Sequence, residues 1–380
     1  MRKRLNTIWG VFGWPVLLGL LIGLVAVMSQ SNLRYALKQQ VKGLFTLPAQ
    51  QTTSYANAVS KAIPAVVNIF TLKRVNLPRN PLFDDPLFRH YFNSADIPQQ
   101  QRMSSALGSG VIINKEGYLL TNNHVIAGAE EIVVSLYDGR EAKAKVVGLD
   151  RETDLAVLKI PLQNLTSLVL GTPQKTRLGD VVLAIGNPFG VGQTVTQGII
   201  SATGRHGLGL NVYENFLQTD AAIHKGNSGG ALIDTNGHLL GINTAILAKK
   251  DSHGIGIGFA IPADLAVSIM NDIITSGEAI RGWLGIEART LNENVIRTYN
   301  LHNRTGVMIT SIHPNGPADK AGIKAGDIVT HINQQPVGNG REGMNLIAQV
   351  RPKNSVQVTI LRNGEKLQMN AIAGKRPKNI

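Results

Sequence analysis

The chain has 380 residues, 43% of them hydrophobic and 17% charged, a globular composition long enough for about two or three domains. Its 40 glycines and scarcity of long helical patterns favour β structure with many turns. There is no cysteine, which excludes disulfide scaffolds, zinc–thiolate sites and a cysteine nucleophile. The net charge of +13 comes from dispersed basic residues without a nucleic-acid-binding motif, so we expect no nucleic-acid partner.

The N-terminal end has the pattern of a membrane anchor. Arg2, Lys3 and Arg4 precede an apolar segment at residues 8–28, which as a helix would span about 31 Å, close to the hydrocarbon thickness of a bilayer. A cleaved signal peptide would have a shorter apolar region and a better cleavage site, so a retained anchor is favoured. The basic flank predicts a cytoplasmic N-terminus, with the rest of the chain in the periplasm of a Gram-negative cell. We predict a single-pass inner-membrane anchor in residues 1–33 and a polar tether in residues 34–53.

Strand-like apolar runs separated by turns occupy residues 54–278 and form two similar halves. A helical pattern at residues 263–276, ended by Gly277, closes this domain. Residues 75–105 interrupt the strands with aromatic residues among proline, aspartate and glutamine, which predicts a long loop. That loop either docks on a neighbouring subunit or a substrate, or folds onto its own surface.

A glycine-rich turn with the sequence GNSGG, residues 226–230, is the first candidate for chemistry. Such a turn exposes the Ser228 hydroxyl and leaves backbone N–H groups nearby to hold an oxyanion. Gly226 and Ser228 are the expected donors, with Asn227 as a further one. By itself, the segment is equally consistent with a hairpin turn that carries a solvated serine.

Two further residues turn this serine into a candidate nucleophile. His124 follows a strand, and Asp154 precedes an apolar strand, whereas Asp150 has the sequence setting of a solvated turn. The order His, Asp, Ser at strand ends of a two-halved β pattern is that of chymotrypsin-like proteases, in which the triad lies between two β-barrels. Ser228 would attack the carbonyl, His124 would transfer the proton and Asp154 would orient the imidazole. This chemistry needs no metal or organic cofactor.

With these stretches the chain resembles the HtrA/Deg family of serine proteases. The resemblance is carried by residues 121–128, 153–159, 186–190, 218–221 and 226–230, and it extends over roughly residues 54–375. A single N-terminal anchor and a single C-terminal domain are similar to the DegS/AlgW branch of that family. The expected fold is therefore mainly β, with a chymotrypsin-like double β-barrel protease domain and a C-terminal PDZ domain after one transmembrane helix.

Residues 281–375 resemble a PDZ domain, which adds an extended C-terminal peptide as an extra strand and captures its carboxylate on loop N–H groups. The matching loop consists of Trp283, Leu284, Gly285 and Ile286. Arg281, just before it, would add charge attraction. The alternative is a β domain used only for assembly.

The resemblance implies that a peptide on the PDZ domain activates the protease. Arg205 matches the position whose side chain helps to set the active loop conformation; the alternative is a solvated loop arginine. By resemblance, the activators are exposed C-termini of misfolded outer-membrane proteins, and the substrate is a membrane-bound anti-sigma factor of the envelope stress response. The family also implies a homotrimer, with contacts near Tyr55 and the loop at residues 83–92.

Two other functions stay open at this stage. One is a general periplasmic quality-control protease and chaperone of the DegP/DegQ type, which the long loop at residues 75–105 favours. The other is a PDZ adaptor with an inactive protease domain, which the intact His-Asp-Ser set disfavours.

Overall fold

The computed structural model describes residues 14–23, 25–26, 54–76, 101–187, 192–224, 226–246, 256–291, 293–298 and 305–377. The chain divides into two compact units, Met1–Ser54 and Tyr55–Ile380. In the first unit, residues 14–23 and 25–26 are helical. No helix within the described ranges is long and apolar enough to cross a membrane. The predicted anchor at residues 8–28 lies partly outside the described residues, and the predicted tether at residues 34–53 lies entirely outside them.

The second unit begins with helix α1 (Ala56–Ala62), followed by the seven strands of the first half of the protease domain. The strands are β1 (Val66–Asn76), β2 (Gln101–Ile112), β3 (Tyr118–Asn122), β4 (Glu131–Ser135), β5 (Glu141–Lys143), β6 (Lys145–Asp150) and β7 (Leu155–Lys159). They form one antiparallel sheet in the order β5-β4-β1-β2-β3-β7-β6.

This sheet is rolled up by the chain itself. Its two edge strands, β5 and β6, are separated in sequence by Ala144 alone, so the opposite edges of the sheet meet at that residue. The Ala144 N–H donates to the carbonyl of Ile132, which holds the corner against β4. The expected first barrel is therefore present as a sheet closed by a covalent corner and not by a hydrogen-bonded ladder.

The second half is a hydrogen-bonded closed barrel. Its strands are β8 (Val181–Gly186), β9 (Thr194–Arg205), β10 (Phe216–Thr219), β11 (Ala231–Ile233), β12 (Leu239–Ile246) and β13 (Gly258–Pro262). They close in the order β10-β13-β12-β11-β8-β9. The predicted closing helix is confirmed as α3 (Ala263–Ser276), and the Gly277 N–H caps it by donating to Ile273.

One apolar core fills the space between these layers. Ile69, Ile112, Leu120 and Leu158 from the first sheet have no solvent exposure, and each such burial stabilises the fold by roughly 1.5–3 kcal/mol. The same core includes residues of the second barrel and of α3, namely Leu183, Ile185, Ala266, Ile269, Met270 and Ile273. The shared core fixes the two halves against each other, so the strand ends that carry the site lie at a rigid junction.

The interruption predicted at residues 75–105 is shorter than the sequence indicated. β1 and β2 stay paired as far as Asn76 and Gln101, because polar residues at the end of a two-stranded ribbon satisfy the same backbone ladder as apolar ones. The remainder of the predicted loop, residues 77–100, lies outside the described residues.

The C-terminal domain is a β structure with short helices, as expected of a PDZ domain. Its elements are β14 (Gly282–Trp283), β15 (Ile286–Thr290), α4 (Glu293–Thr298), β16 (Val307–Ile312), α5 (Pro317–Lys320), β17 (Ile328–Ile332), β18 (Gln335–Pro336), α6 (Gly340–Ala348), β19 (Ser355–Arg362), β20 (Glu365–Ile372) and β21 (Gly374–Lys375). The sheet runs β15-β16-β17-β19-β20, and β14 pairs with β21. α6, which the sequence did not predict, begins where the Asn339 side chain accepts a hydrogen bond from the Glu342 N–H.

A buried ion pair holds the end of this sheet. Asp327 is 2% exposed and accepts two hydrogen bonds from the Arg362 guanidinium, at 2.7 and 2.8 Å.

Replacing Arg362 by methionine leaves a buried carboxylate without its partner, and we expect a loss of about 3 kcal/mol in the free energy of unfolding. Urea unfolding followed by Trp283 fluorescence measures it. The matched control is Arg177→Met, which removes an exposed pair with Asp180 and is expected to cost under about 1 kcal/mol. Equal losses in both variants would contradict this account.

Candidate active site and peptide groove

The carboxylate of Asp154 is the centre of the candidate site. Asp154 immediately precedes β7 and has a left-handed backbone with φ +61°, which aspartate tolerates better than most residues. Its Oδ1 accepts from the His124 N–H at 2.9 Å, and its Oδ2 accepts from Thr244 Oγ1 at 3.0 Å. Its carbonyl accepts from the side chain of Asn122 and the N–H of Asn123. These bonds hold the strained backbone and aim the carboxylate.

His124 lies on a one-turn helix, α2 (Asn123–Ile126), directly after β3. Its Nδ1 is 2.6 Å from Asp154 Oδ2, and its side chain is half exposed. An ionised carboxylate only accepts hydrogen bonds, so Nδ1 carries the proton and Nε2 is the basic nitrogen. This is the tautomer that a general base requires.

Thr244, which sequence reasoning missed, connects the triad residues. The β12–β13 register shifts between Asn243 and Ala245, so Thr244 is the extra residue of a β-bulge. Its hydroxyl donates to Asp154, while its carbonyl accepts from Ser228 Oγ at 3.1 Å. A threonine in an apolar strand gives no sequence signal for this role, because the bulge that aims it depends on the pairing of distant strands.

The turn before Ser228 has the shape needed for an oxyanion site. The Asn227 N–H donates to the His224 carbonyl at 3.0 Å, and Gly226, the third residue of this turn, has φ +102°. A positive φ at that position strongly favours glycine. Among the described residues, none accepts a hydrogen bond from the N–H of Gly226 or Ser228. The prediction that Asn227 is a further oxyanion donor is wrong, because its N–H already donates to the His224 carbonyl.

Ser109, near the C-terminal end of β2, anchors this turn to the first half of the domain. Its Oγ donates to the Gly226 carbonyl at 2.6 Å and accepts from the Asn187 N–H at 2.9 Å, and its own N–H donates to the Ser228 carbonyl at 2.9 Å. Thr121 Oγ1 donates to the Ser109 carbonyl. The backbone around the nucleophile is therefore held by both halves of the protease domain, and Ser109 is a second residue that sequence reasoning missed.

The arrangement has the parts of acyl-transfer chemistry: a half-buried serine hydroxyl, a basic imidazole held by a carboxylate, and N–H groups beside the hydroxyl. Within the ranges that the structure describes, no three histidine, aspartate or glutamate side chains are grouped to hold a metal ion. His124 and Ser228 are linked here through Asp154 and Thr244, because Thr244 donates to the carboxylate that binds His124 and accepts from the Ser228 hydroxyl. Their assignment as a catalytic triad stays a prediction.

A groove of about 300 Å³ lies beside β15 in the C-terminal domain. It is lined by the loop of Trp283, Leu284, Gly285 and Ile286 and, on the opposite side, by α6. Gly285 has φ +75°, and a Cβ there would meet Trp283 and His313 at about 3 Å, so the loop requires glycine. No described residue accepts from the N–H groups of Leu284 and Gly285. The loop predicted to capture a carboxylate is therefore in position for it.

Ion pairs connect the C-terminal domain to the protease domain, and they correct two expectations. Asp150 is not a solvated turn residue: it is 5% exposed and accepts from Thr153 Oγ1 and Arg281 Nη2. Arg281 also pairs with Glu152 at 3.3 Å and stacks over the Tyr213 ring. It faces the protease domain and does not line the groove. The sequence around each residue could not predict this pairing, because Asp150 and Arg281 lie 131 positions apart.

A second contact joins α6 to the loop after β9. Burial of Glu214 by itself would raise its pKa, but N–H groups of Asn211, Leu208 and Leu210 and the charge of Arg341 outweigh it, so the pKa is lowered. Arg341, on α6, lies 3.3 Å from this carboxylate. The ionised glutamate thus organises its own loop and provides the acceptor for the PDZ helix.

Arg205 is the last residue of β9, at the start of this loop. Its Nε donates to Gln218 Oε1 on β10 at 2.9 Å. Its neighbour His206 lies 3.7 Å from Glu342 on α6. Arg205 is therefore attached to the strand that leads toward the nucleophile turn, next to a contact with the C-terminal domain, and its regulatory role stays a prediction.

The fold and the site define a trypsin-like serine endopeptidase with an attached PDZ domain. The family described as trypsin-like peptidase domain matches residues 108–242, and the family described as PDZ domain matches residues 282–372. The chain belongs to the HtrA/Deg family of periplasmic serine proteases.

Individual relatives support this membership. The pH-dependent serine endoprotease DegQ of Escherichia coli K12 is 42% identical over 83% of this chain and 69% of its own length. The serine endoprotease DegS of Haemophilus influenzae is 41% identical over 86% of this chain and 89% of its own. A solved structure of the HtrA-type protease AlgW with a decapeptide is 53% identical, with a TM-score of 0.68, and covers 86% of this chain and 99% of that one.

The bond from Thr244 to Asp154 is testable. Thr244→Val keeps the shape but removes one hydrogen bond to the charged carboxylate, and we expect kcat on a fluorogenic peptide to fall about tenfold with little change in KM. Thr275→Val is the matched control, because the Thr275 hydroxyl forms its hydrogen bonds with residues of its own helix, α3. A Thr244→Val variant with unchanged kcat would show that this bond does not support the triad.

The nucleophile assignment has its own test. A fluorophosphonate probe reacts with an activated serine, so we expect the wild type to be labelled and Ser228→Ala to lose the label completely. Ser60→Ala, at an exposed position of α1, serves as the control and should label as the wild type does. Equal labelling after Ser228→Ala, or an unlabelled wild type, would refute the assignment.

Proposed function

We propose that this chain is a membrane-anchored periplasmic endopeptidase that is activated by a peptide on its PDZ domain and cleaves an anti-sigma factor in the envelope stress response. Ser228 Oγ attacks the scissile carbonyl, and His124 Nε2 takes the proton and returns it to the leaving amine. Asp154 holds the imidazole and stabilises its cationic form, while the N–H groups of Gly226 and Ser228 bind the oxyanion. Such donors contribute on the order of 3 kcal/mol to lowering the barrier.

One observation carries the proposal of peptide activation: a residue of the protease domain forms part of the groove wall. Tyr213, which belongs to the protease domain, lines the groove together with the loop at Trp283–Ile286. A ligand in the groove therefore touches the segment that also contains Glu214 and follows Arg205. A peptide activates only as far as it binds the active state more tightly, and this shared wall provides a physical route for that difference.

The related proteins favour the same proposal. AlgW has been solved with a decapeptide and with a tripeptide, and it is more similar to this chain than the DegQ and DegP relatives are. The apolar segment at residues 8–28 and its basic flank support a single-pass anchor with both domains in the periplasm. We extend the proposal to the unfolded C-termini of outer-membrane proteins as activators, to a homotrimer as the assembly, and to Arg205 as the residue that sets the active loop conformation.

The second candidate is a general quality-control protease, which the similarity to DegQ and DegP at 42% and 41% identity favours. The two candidates differ in what controls cleavage. A regulatory protease cuts one substrate class and depends on peptide, because its active state is sparsely populated without it. A quality-control protease digests unfolded protein without that signal.

The test compares two substrates in the presence and absence of a C-terminal peptide. We expect the purified full chain to cleave a periplasmic anti-sigma fragment at least tenfold faster with the peptide, and to leave unfolded casein largely intact. A peptide with an amidated C-terminus is the matched control for carboxylate capture, and Ser228→Ala controls for contaminating protease. Rapid digestion of casein without peptide would refute the regulatory proposal and support quality control.

A further inference from the structure

Arg281, just before β14, and Arg376, just after β21, are neighbours in space, but their side chains line different cavities. The Arg376 N–H donates to the Arg281 carbonyl at 3.1 Å, next to the pairing of β14 with β21. Arg281 lines a cavity of about 380 Å³ between α3 and α6, whereas Arg376 lines the peptide groove. The cation beside the groove is therefore Arg376, although Arg281 is nearer in sequence to the loop of Trp283–Ile286.

Arg281 is committed to the protease domain. Its side chain is 11% exposed and is bound to Asp150 and Glu152, with its guanidinium 4.4 Å from the centre of the Tyr213 ring. A residue so enclosed pairs with these carboxylates and not with a ligand in the groove. Arg281 therefore does not supply the positive charge that its place in the sequence predicts for ligand binding.

Arg376 is held at the wall of the groove by two residues of the protease domain. Its Nη1 donates to Glu152 Oε1 at 2.7 Å and to the Tyr213 hydroxyl at 2.8 Å, and its side chain is 23% exposed. Desolvation by itself would lower the pKa of this guanidinium, but the electrostatic effect of Tyr213 and Glu152 and the hydrogen bonds to both outweigh it and raise the pKa. Burial raises the pKa of Tyr213, so its hydroxyl stays protonated at neutral pH. The groove wall thus carries an arginine that stays protonated, with Glu152 as its counter-ion.

The rest of the groove is apolar. Leu284, Ile286, Val329, Ile332 and Ile347 line it, together with backbone of the loop. An apolar groove with one fixed cation and free loop N–H groups fits an extended peptide with an apolar last side chain and an anionic end.

We propose that Arg376 is the specificity-determining cation of the groove, recognises the C-terminal carboxylate of the bound peptide, and shares its charge between that carboxylate and Glu152. The inference rests on the proposed function, in which the groove takes a peptide C-terminus. It adds that residues of the protease domain set the groove's preference for a free carboxylate. Since Glu152 lies two positions before Asp154, a carboxylate that draws on Arg376 also weakens a contact of the catalytic segment.

The experiment measures peptide affinity in the full chain that carries Ser228→Ala, so that the peptide is not cleaved. The probe is a fluorescein-labelled decapeptide ending in phenylalanine, prepared with a free carboxylate and with a carboxamide. We expect Arg376→Gln to weaken the carboxylate form about tenfold and the carboxamide form less than about twofold. Arg376→Lys should recover part of the loss, and Glu152→Gln should tighten the carboxylate form, because a competitor for the guanidinium is removed.

Arg351→Gln is the matched control, since Arg351 also joins the PDZ domain to a protease-domain carboxylate, that of Asp272, but lines the interdomain cavity and not the groove. We expect it to leave the ratio of the two affinities unchanged. Equal weakening of both peptide forms by Arg376→Gln, or the same selective loss in Arg351→Gln, would overturn the inference. A chain that binds neither peptide would instead refute the peptide activation on which the inference rests.

Discussion

The hydrogen bonds of the Asp154 carboxylate are the interaction on which the rest of the site depends. They join His124 of the first sheet to Thr244 of the second barrel, so the catalytic geometry exists only when the two halves are docked. Taking a carboxylate out of water is costly unless it is well paired, and here His124 and Thr244 together provide three donors. The left-handed backbone at Asp154 is maintained because Asn122 and Asn123 bind its carbonyl.

The same segment of the chain connects the active site with the PDZ domain. Asp150 and Glu152 bind arginines of the C-terminal domain, and Thr153 donates to Asp150. The ligand groove, the domain contact and the catalytic aspartate thus follow one another within a few residues and a few hydrogen bonds. Charged contacts of this kind depend on geometry more than on area, and the proposed activation by a peptide relies on them.

Much of this architecture could be predicted from the sequence, because its signals are local. The strands around His124 and Asp154, the helix that ends at Gly277 and the glycine turn at Ser228 each follow from spacing and turn residues. Residues whose role depends on distant pairing could not be predicted. The bulge at Thr244, the anchor at Ser109 and the helix α6 belong to that group. Asp150, expected to be solvated, and Arg281, expected to attract a peptide, belong to it as well, since each binds the other across the domain boundary.

The bulge in β12 places two hydrogen-bonding groups of the site on one residue, so both are lost together when the strand is displaced. One residue, Thr244, presents its hydroxyl to the acid–base pair and its carbonyl to the nucleophile. A shift of this strand by one position would turn both groups away together, because side chain and carbonyl direction change jointly along a strand. The acid–base pair and the nucleophile therefore depend on the same residue, so a displacement of β12 disturbs both at once.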